Sequence, residues 1–264
     1  LVARAYGEVH RHHRKSSSFS IKRWLTADLP QSFRRQFSAF IAATAIMIVG
    51  SLLGAGALAL DPNSRYTTMA FGHDQKTPSE RVQEERKMEG RHLDGAKGGF
   101  SAMLMTHNIR VSLTTLAMGL TYGVGSVILL FYNGVILGSV ALDYMLDGQS
   151  VFLLAWLLPH GSVEIPAILI AGQGAFVLAS ALIGKGNRLD LHDRLAACRG
   201  DLVNLIAGLA ILLVWAGIVE AFISQYHDPV IPSWLKIGMG TIQLGALVAY
   251  LTFAGRASQS QSTD

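Results

Sequence analysis

Long apolar blocks separated by short polar segments dominate this sequence. A helix needs about 20 consecutive apolar residues to cross the hydrocarbon core of a bilayer. The blocks therefore predict about six membrane-spanning helices, at 36–60, 106–121, 124–145, 151–183, 202–223 and 231–254. The predicted fold class is all-α, a polytopic membrane helical bundle.

The span count depends on how the apolar stretch from Asn108 to Leu146 is divided. It is too long for one ordinary span and is interrupted at Gly123 and again at Asn133-Gly134. Dividing it at Gly123 gives a short span running inward and a second span running outward. One long, tilted or kinked helix over the same residues would lower the count and reverse the side of the later loops.

A polar insertion interrupts the apolar run from 151 to 183. It runs from Leu157 to Pro166, with prolines at 159 and 166, and carries His160 and Glu164, which are four residues apart and so share one face of a helix. The two prolines predict a broken or re-entrant backbone here, because each removes a helical hydrogen bond. Ionisable groups at membrane depth are costly, which makes this stretch the leading candidate for a functional site. The alternative is that these side chains only join helices by hydrogen bonds.

Basic residues near the ends of the apolar blocks set the predicted orientation. Segment 1–35 carries eight Lys/Arg against two acids and is predicted to be cytoplasmic, basic and amphipathic, with 19–40 lying at headgroup level. The remaining divisions are a transmembrane domain, an extracytoplasmic segment within it, a cytoplasmic loop and a cytoplasmic tail, at 36–254, 61–107, 184–201 and 255–264 respectively. Both ends of the chain are therefore expected in the cytoplasm.

Composition narrows the class of function. The chain is 50% hydrophobic with a formal net charge of +4, and its basic residues act as topology signals, so no nucleic-acid partner is expected. The cluster at 10–15 is interpreted as a solvated tail facing lipid phosphate, with metal or RNA binding as the alternative. The single cysteine, Cys198, excludes an internal disulfide and a Cys-rich metal site. The sequence has no phosphate-binding Gly-x-x-x-x-Gly-Lys-Ser/Thr run, so ATP binding is not expected.

Further polar residues lie within or beside the predicted spans. The amide of Asn133, at membrane depth, is expected to bond to a neighbouring helix. His107 and Arg110 flank the outer start of the second span and are expected to anchor it at lipid phosphate. Asn108, Arg110 and Asp143 are secondary candidates for the polar cluster.

Glycines and interfacial residues predict where helices meet their surroundings. Gly50, Gly54 and Gly56 near the outer end of the first span allow close helix approach and suggest a homodimer. Trp234 and Lys236 open the last span and are predicted to be interfacial anchors.

Four motifs carry a resemblance to a known family. They are Asn108-Ile109-Arg110, Phe131-Tyr132-Asn133-Gly134, Leu158-Pro159-His160-Gly161-x-x-Glu164-x-Pro166 and Ile218-Val219-Glu220-Ala221-Phe222. With them the chain resembles the stage II sporulation protein M family of bacterial integral membrane proteins, over nearly its whole length. The resemblance implies that the shared polar positions are Asn133, His160, Glu164 and Glu220.

The resemblance also implies a role. Family members from spore-formers act in engulfment with peptidoglycan-degrading partners that they are thought to anchor or localise, and relatives elsewhere are often encoded near MoxR-type ATPases. We therefore expect a scaffold of the bacterial cytoplasmic (inner) membrane that does not itself catalyse a reaction. Its expected partners are the lipid bilayer and other envelope membrane proteins, such as peptidoglycan hydrolases or MoxR-associated proteins.

Two other functions remain open for the polar residues. His160, Glu164 and Glu220 are candidate ligands for a divalent metal, which would suit an intramembrane metal-dependent hydrolase. The zincin motif needs two histidines, so a metalloprotease is not supported, and no other cofactor is expected. A buried histidine beside a glutamate also suits an ion or small-solute transporter.

Overall fold

The computed structural model describes residues 20–69, 76–89, 94–184, 189–224, 226 and 230–256. Regular structure within these residues is helical, without a strand. In chain order the helices are α1 (Ile21–Arg23), α2 (Leu29–Arg35), α3 (Phe37–Leu60), α4 (Arg65–Thr68), α5 (Pro78–Glu89), α6 (Asp94–Ala117), α7 (Val124–Leu146), α8 (Ser150–Ile183), α9 (Leu191–Val219) and α10 (Ser233–Phe253). The π-helical segments Trp24–Asp28 and Glu220–Ser224 and the 3₁₀ turns Pro62–Ser64 and Met118–Thr121 lie between them. The basic cluster predicted at 10–15 and the end of the predicted tail, 257–264, lie outside the described residues.

Five helices in the described part of the chain are long and apolar enough to cross a membrane. They are α3, α7, α8, α10 and Leu191–Ser224, which is α9 with its π-helical end. Large apolar side chains such as Leu52, Ile128, Val214 and Ile242 are exposed on their outer surfaces. Surfaces of this kind are stable against lipid and not against water. The chain is therefore a membrane protein with a helical-bundle fold, and the predicted fold class is confirmed.

Helix directions explain the difference between these five helices and the six predicted spans. Gly50 and Gly54 of α3 meet Phe131 and Val135 of α7 in the same order, so α3 and α7 run parallel. The chain between two parallel helices has to return along their length. The helix α6, with 24 residues, is long enough to do so at about 1.5 Å per residue. Its sequence mixes charged and polar residues with apolar ones, which is why its composition alone does not mark it as a span.

A tight turn separates α6 from α7 at the predicted position. After the 3₁₀ turn Met118–Thr121, Tyr122 and Gly123 both adopt the left-handed conformation, with φ of 55° and 84°. The chain reverses there, and Ser126 in the first turn of α7 donates a hydrogen bond to the Thr115 carbonyl of α6. The division at Gly123 is therefore confirmed, and the single long helix is excluded.

Four glycines bring α3 and α7 into backbone contact. A Cβ at Gly50 or Gly54 would overlap the backbone of α7, and a Cβ at Gly134 or Gly138 would overlap that of α3. Small residues allow this close approach in membranes. The approach expected at Gly50 and Gly54 is thus made within one chain, so these two residues no longer argue for a homodimer, which remains a prediction.

The centre of the bundle is α8. In its most apolar stretch 67% of the residues are buried, compared with 17–39% for the other four spans, and it packs against α3, α6, α7, α9 and α10. Pro159 and Pro166 both lie inside this continuous helix of 34 residues, so the predicted broken backbone at the insertion is wrong. Packing on all sides supports the helix through both prolines, and Gln243 of α10 donates a hydrogen bond of 2.8 Å to the Pro159 carbonyl.

At one end of the bundle, here called the α2 end, the N-terminal helices pack onto α9 and α10. Leu29 and Phe33 of α2 are buried, whereas Ile21 and Leu25 are exposed. Polar side chains join α2 to α8 and α9 in what we call the α2 network, made of Ser32, Arg35, Gln36, Gln173, Asp201 and Asn204. The predicted amphipathic segment is thus part of the bundle.

Two polar segments are more helical than expected. The helix α9 begins at Leu191, where Asp190 accepts a hydrogen bond of 2.8 Å from the Asp193 amide, so much of the loop predicted at 184–201 is helix. At the opposite end of the bundle, the α5 end, the segment predicted to be extracytoplasmic contains α5, which begins at Pro78. Thr77 and Glu80 bond to each other's backbone amides there, forming a capping box.

Candidate functional site

The helices α8 and α9 bring His160 and Glu220 into direct contact. The imidazole Nδ1 of His160 lies 2.7 Å from the Glu220 Oε2 atom and 2.9 Å from the Ser224 Oγ atom. His160 is 6% exposed and Glu220 4% exposed, so this contact is sheltered from solvent and lipid. A carboxylate at one ring nitrogen fixes the proton on that nitrogen, which leaves Nε2 as the second site of the ring.

A π-helical turn places the two partners of His160. The α-helix ends at Val219, and Glu220–Ser224 continues it as a wider turn. Both Glu220 and Ser224 are buried and point at His160. Single π-helical turns of this kind occur often at functional sites, because they redirect side chains without ending the helix.

Lys236 completes this group from α10. Its Nζ atom donates hydrogen bonds of 2.8 Å to the carbonyls of Ser224 and Tyr226, and the residue is 1% exposed. The prediction of an interfacial anchor is therefore wrong for Lys236, because carbonyls at the end of the π-helical turn draw its ammonium group inward. Trp234, in the same turn of α10, is 73% exposed. We call His160, Glu220, Ser224 and Lys236 the His160 cluster.

Glu164 lies one turn along α8 from His160 and is 9% exposed. The side chain of Asn108 on α6 makes a hydrogen bond to its carboxylate, and the charges of His160 and Glu220 are close enough to act on it. Glu164, His160, Asn108 and Asn133 line one cavity of about 160 Å³ between α3, α6, α7 and α8, here called the Glu164 cavity. The structure thus brings all four family positions to the cavity or to the histidine beside it.

Two carboxylates and one ammonium group, those of Glu164, Glu220 and Lys236, are buried in this region beside His160. Buried charge is stable only when opposite charges and hydrogen bonds compensate it, so the contacts of these side chains with one another and with backbone carbonyls are needed to hold them inside the bundle.

Other candidate residues lie apart from the cluster. Asp143 forms an ion pair of 2.9 Å with Arg65, and Arg110 is exposed. The Asn133 amide donates to the Leu129 carbonyl of its own helix at 2.8 Å, so the expected bond to a neighbouring helix is not the one it makes. This bond satisfies one of the two N–H donors of the amide within its own helix, and the amide oxygen is left as an acceptor.

The metal hypothesis needs three ligand atoms close together. Among the described residues, the group that meets this condition within 4.8 Å is Asp190, His192 and Asp193, all exposed, and Asp190 already caps α9. His160, Glu164 and Glu220 do not converge to that distance in this conformation. A divalent metal at these residues remains a prediction.

Sequence reasoning missed two members of the His160 cluster. Ser224 follows Glu220 by four residues, and Lys236 is a lone cation near the start of an apolar block. Both features could have marked these residues as candidates, since an ionisable residue inside a span usually faces a polar partner. The pairing itself depends on the π-helical turn, which the sequence does not indicate.

Comparison with known proteins places this arrangement in a family. Residues 39–225 match the family described as stage II sporulation protein M, and this range runs from near the start of α3 to the π-helical end of α9, with His160, Glu164 and Glu220 inside it. The chain belongs to the stage II sporulation protein M family. The resemblance found in the motifs is therefore confirmed, although Lys236 lies outside the matched residues.

One curated relative of this stage II sporulation protein M family chain is archaeal. An uncharacterized protein of Methanocaldococcus jannaschii is 30% identical over 141 residues, covering 50% of this chain and 72% of the relative. No solved structure matches the chain.

Proposed function

We propose that this stage II sporulation protein M family member is a non-catalytic scaffold that anchors or localises peptidoglycan-remodelling partners in the bacterial cytoplasmic membrane. Family membership supports a membrane role, and the described architecture supplies a surface suited to recruitment. The observation that carries the proposal is the docking of α5 on the bundle.

The helix α5 presents a fixed polar face. Pro78 and Val82, four residues apart, are buried, while Glu80, Gln83 and Glu84 are exposed on the other side. The Ser79 amide donates to the Asp147 carboxylate, and Gln149 donates to the Ser79 hydroxyl at 3.2 Å, so α5 is tied to the turn between α7 and α8. A charged helix held in one orientation loses little entropy when a partner binds it.

The orientation follows from charge. Basic residues from separate parts of the chain gather at the α2 end, namely Lys22, Arg23, Arg34, Arg35, Arg194, Arg199 and Arg256. This excess favours a cytoplasmic position for that end, with α5 facing the cell wall. Cys198, near the start of α9, then reports the cytoplasmic side.

The test of the scaffold is quantitative crosslinking in native membranes. Changing the exposed charge with Gln83→Lys and Glu84→Lys, which leave the Thr77–Glu80 capping box intact, should reduce crosslinks to peptidoglycan hydrolases at least tenfold. Glu164→Gln, which leaves the α5 surface intact, serves as the matched control and should retain them. Equal recovery of hydrolases from the α5 variant and the wild type would refute the recruiting role of α5.

Orientation is tested with the native cysteine. A membrane-impermeant maleimide added to intact cells should leave Cys198 unlabelled and should label it after the cells are opened. A Gln149→Cys substitution in a Cys198→Ser background should be labelled from outside. The reverse pattern would place the α2 end outside and overturn the proposed orientation.

Proton or ion movement is a second candidate, favoured by the His160–Glu220 contact beside the Glu164 cavity. It predicts a proton or ion flux in proteoliposomes that Glu164→Gln abolishes. The scaffold predicts no such flux, while crosslinks to envelope partners persist.

A further inference from the structure

Part of the lining of the Glu164 cavity is polar. The amide nitrogens of Asn133 and Asn108 each donate one hydrogen bond, toward the Leu129 carbonyl and toward the Glu164 carboxylate, so both amide oxygens remain as acceptors beside a second N–H donor. The His160 bonds within the described residues both involve Nδ1, and Glu220 and Ser224 do not line the cavity. The other nitrogen, Nε2, is therefore on the cavity side.

The polar residues of the lining offer more hydrogen-bond acceptors than donors. When Nδ1 donates to Glu220, the Nε2 atom of His160 is an acceptor. The carboxylate of Glu164 has about four acceptor sites, of which the Asn108 amide uses one. The described residues that line the cavity include no lysine or arginine, and His107 is the one further titratable group among them. Such a wall recognises a ligand that donates hydrogen bonds and carries positive charge.

The rest of the lining is apolar. It is formed by side chains of α3, α7 and α8, such as Met47, Val140 and Ile168, together with Trp156, whose ring centroid lies 5.8 Å from that of His160. An inorganic cation needs oxygen ligands around most of its surface, and this part of the lining offers none. An aromatic ring and aliphatic side chains instead suit the hydrocarbon part of an organic cation.

We propose that the Glu164 cavity is a binding site for a small primary ammonium compound with a short apolar substituent. Its three N–H donors match the acceptors of Glu164, of His160 one turn away on α8 and of Asn108, which is bonded to Glu164, and its hydrocarbon part lies toward Trp156 and the aliphatic side chains. A cavity of about 160 Å³ has the size that holds a single aromatic ring. The bound cation also compensates the buried charge of Glu164.

This inference is independent of the scaffold. Binding is set by α6, α7 and α8 within the bundle, whereas recruitment is set by the exposed face of α5. Either proposal can therefore fail while the other stands.

The experiment measures binding of benzylamine to the purified full-length protein in lipid nanodiscs by isothermal titration. Benzyl alcohol, which has nearly the same shape and no charge, is the ligand control, and empty nanodiscs correct for partition into lipid. We expect saturable binding of benzylamine at one site per chain, and affinity for benzyl alcohol lower by about tenfold or more.

Variants separate the cavity from the rest of the bundle. Glu164→Gln keeps the shape of the side chain and should weaken benzylamine binding by about tenfold or more. Asp143→Asn also removes a carboxylate from a span but does not line the cavity, so it should leave the affinity unchanged. Ala141→Phe places a ring in the cavity while keeping the Glu164 carboxylate, and it should abolish binding, which keeps the test decisive if Glu164→Gln fails to fold.

Three results would overturn the proposal. They are equal affinity for benzylamine and benzyl alcohol, unchanged benzylamine affinity in a folded Glu164→Gln or Ala141→Phe variant, and absence of benzylamine binding in nanodiscs that bind sodium or potassium through Glu164. The last result would show that the acceptors of the Glu164 cavity bind an inorganic cation and not an organic ammonium compound.

Discussion

The His160 cluster and the α2 network both bind helices together with charged and polar side chains, but they do so in different surroundings. In the α2 network, Arg35 has a 54% exposed side chain, and its Nε atom donates to Asp201 at 3.0 Å. In the His160 cluster, His160, Glu220 and Lys236 are each at most 6% exposed. Only the His160 cluster adjoins the Glu164 cavity.

This difference in exposure determines how much stability is lost when one charged side chain loses its partner. If a partner of Arg35 is lost, water can solvate the guanidinium, so an exposed ion pair contributes little to stability. If a partner in the His160 cluster is lost, a charge stays buried without compensation. A costly group of this kind next to a cavity is better explained by a ligand or a proton than by helix packing alone.

The largest effect is expected for Lys236→Met. This change removes the cation that bonds two carbonyls at 2.8 Å and leaves the buried carboxylates without it, so the free energy of unfolding should fall by about 3–5 kcal/mol. Unfolding in mixed micelles by denaturant measures it. Lys22→Met changes an exposed lysine of α1 and should be nearly neutral. A loss below about 1 kcal/mol for Lys236→Met would show that the His160 cluster contributes no more to stability than an exposed ion pair such as that of Arg35 in the α2 network.

An intermediate effect is expected for Gln173→Leu. Gln173 is fully buried, and its amide donates to the carbonyls of Phe33 and Gln36 at 2.9 and 3.0 Å. Losing both bonds should lower the free energy of unfolding by about 1–3 kcal/mol. The same micelle titration measures this loss, with Gln83→Leu on the exposed face of α5 as control. An unchanged free energy of unfolding for Gln173→Leu would show that apolar packing alone, and not the α2 network, holds α2 on the bundle.

The smallest effect is expected for Asp201→Asn. It removes the charge that pairs with Arg35 and should lower the free energy of unfolding by about 1 kcal/mol or less, because the arginine is half-exposed. This loss should shrink further at about 1 M salt, where charges are screened beyond roughly 3 Å. The loss caused by Lys236→Met should stay constant over the same range. Equal salt sensitivity of the two variants would contradict the proposed difference in burial.

Much of the architecture can be read from local sequence signals. Apolar block lengths indicate the spans, Gly123 marks the reversal between α6 and α7, and Pro78 marks the start of α5. These features depend on residues close together in the chain, which is why they are accessible without a structure. The family motif likewise points to His160 and Glu164.

The pairings between distant residues are not readable in this way. Gly50 and Gly54 have the same spacing whether they meet another chain or α7. Lys236 has the sequence context of an interfacial lysine, and only the π-helical turn at Glu220–Ser224 turns it into a buried donor. Pro159 suggests a break, yet α8 continues because neighbouring helices support it on all sides.

The backbone contact between α3 and α7 has a consequence for biogenesis. The partner of α3 emerges from the ribosome only after the whole segment from Asp61 to Gly123, a delay of the order of ten seconds at usual synthesis rates. During that interval Gly50 and Gly54 cannot make this contact, because Phe131 and Val135 have not yet been synthesised. Assembly therefore proceeds by lateral capture of an inserted helix by a later one, and α3 and α7 form the first long-range pair onto which α8 can close.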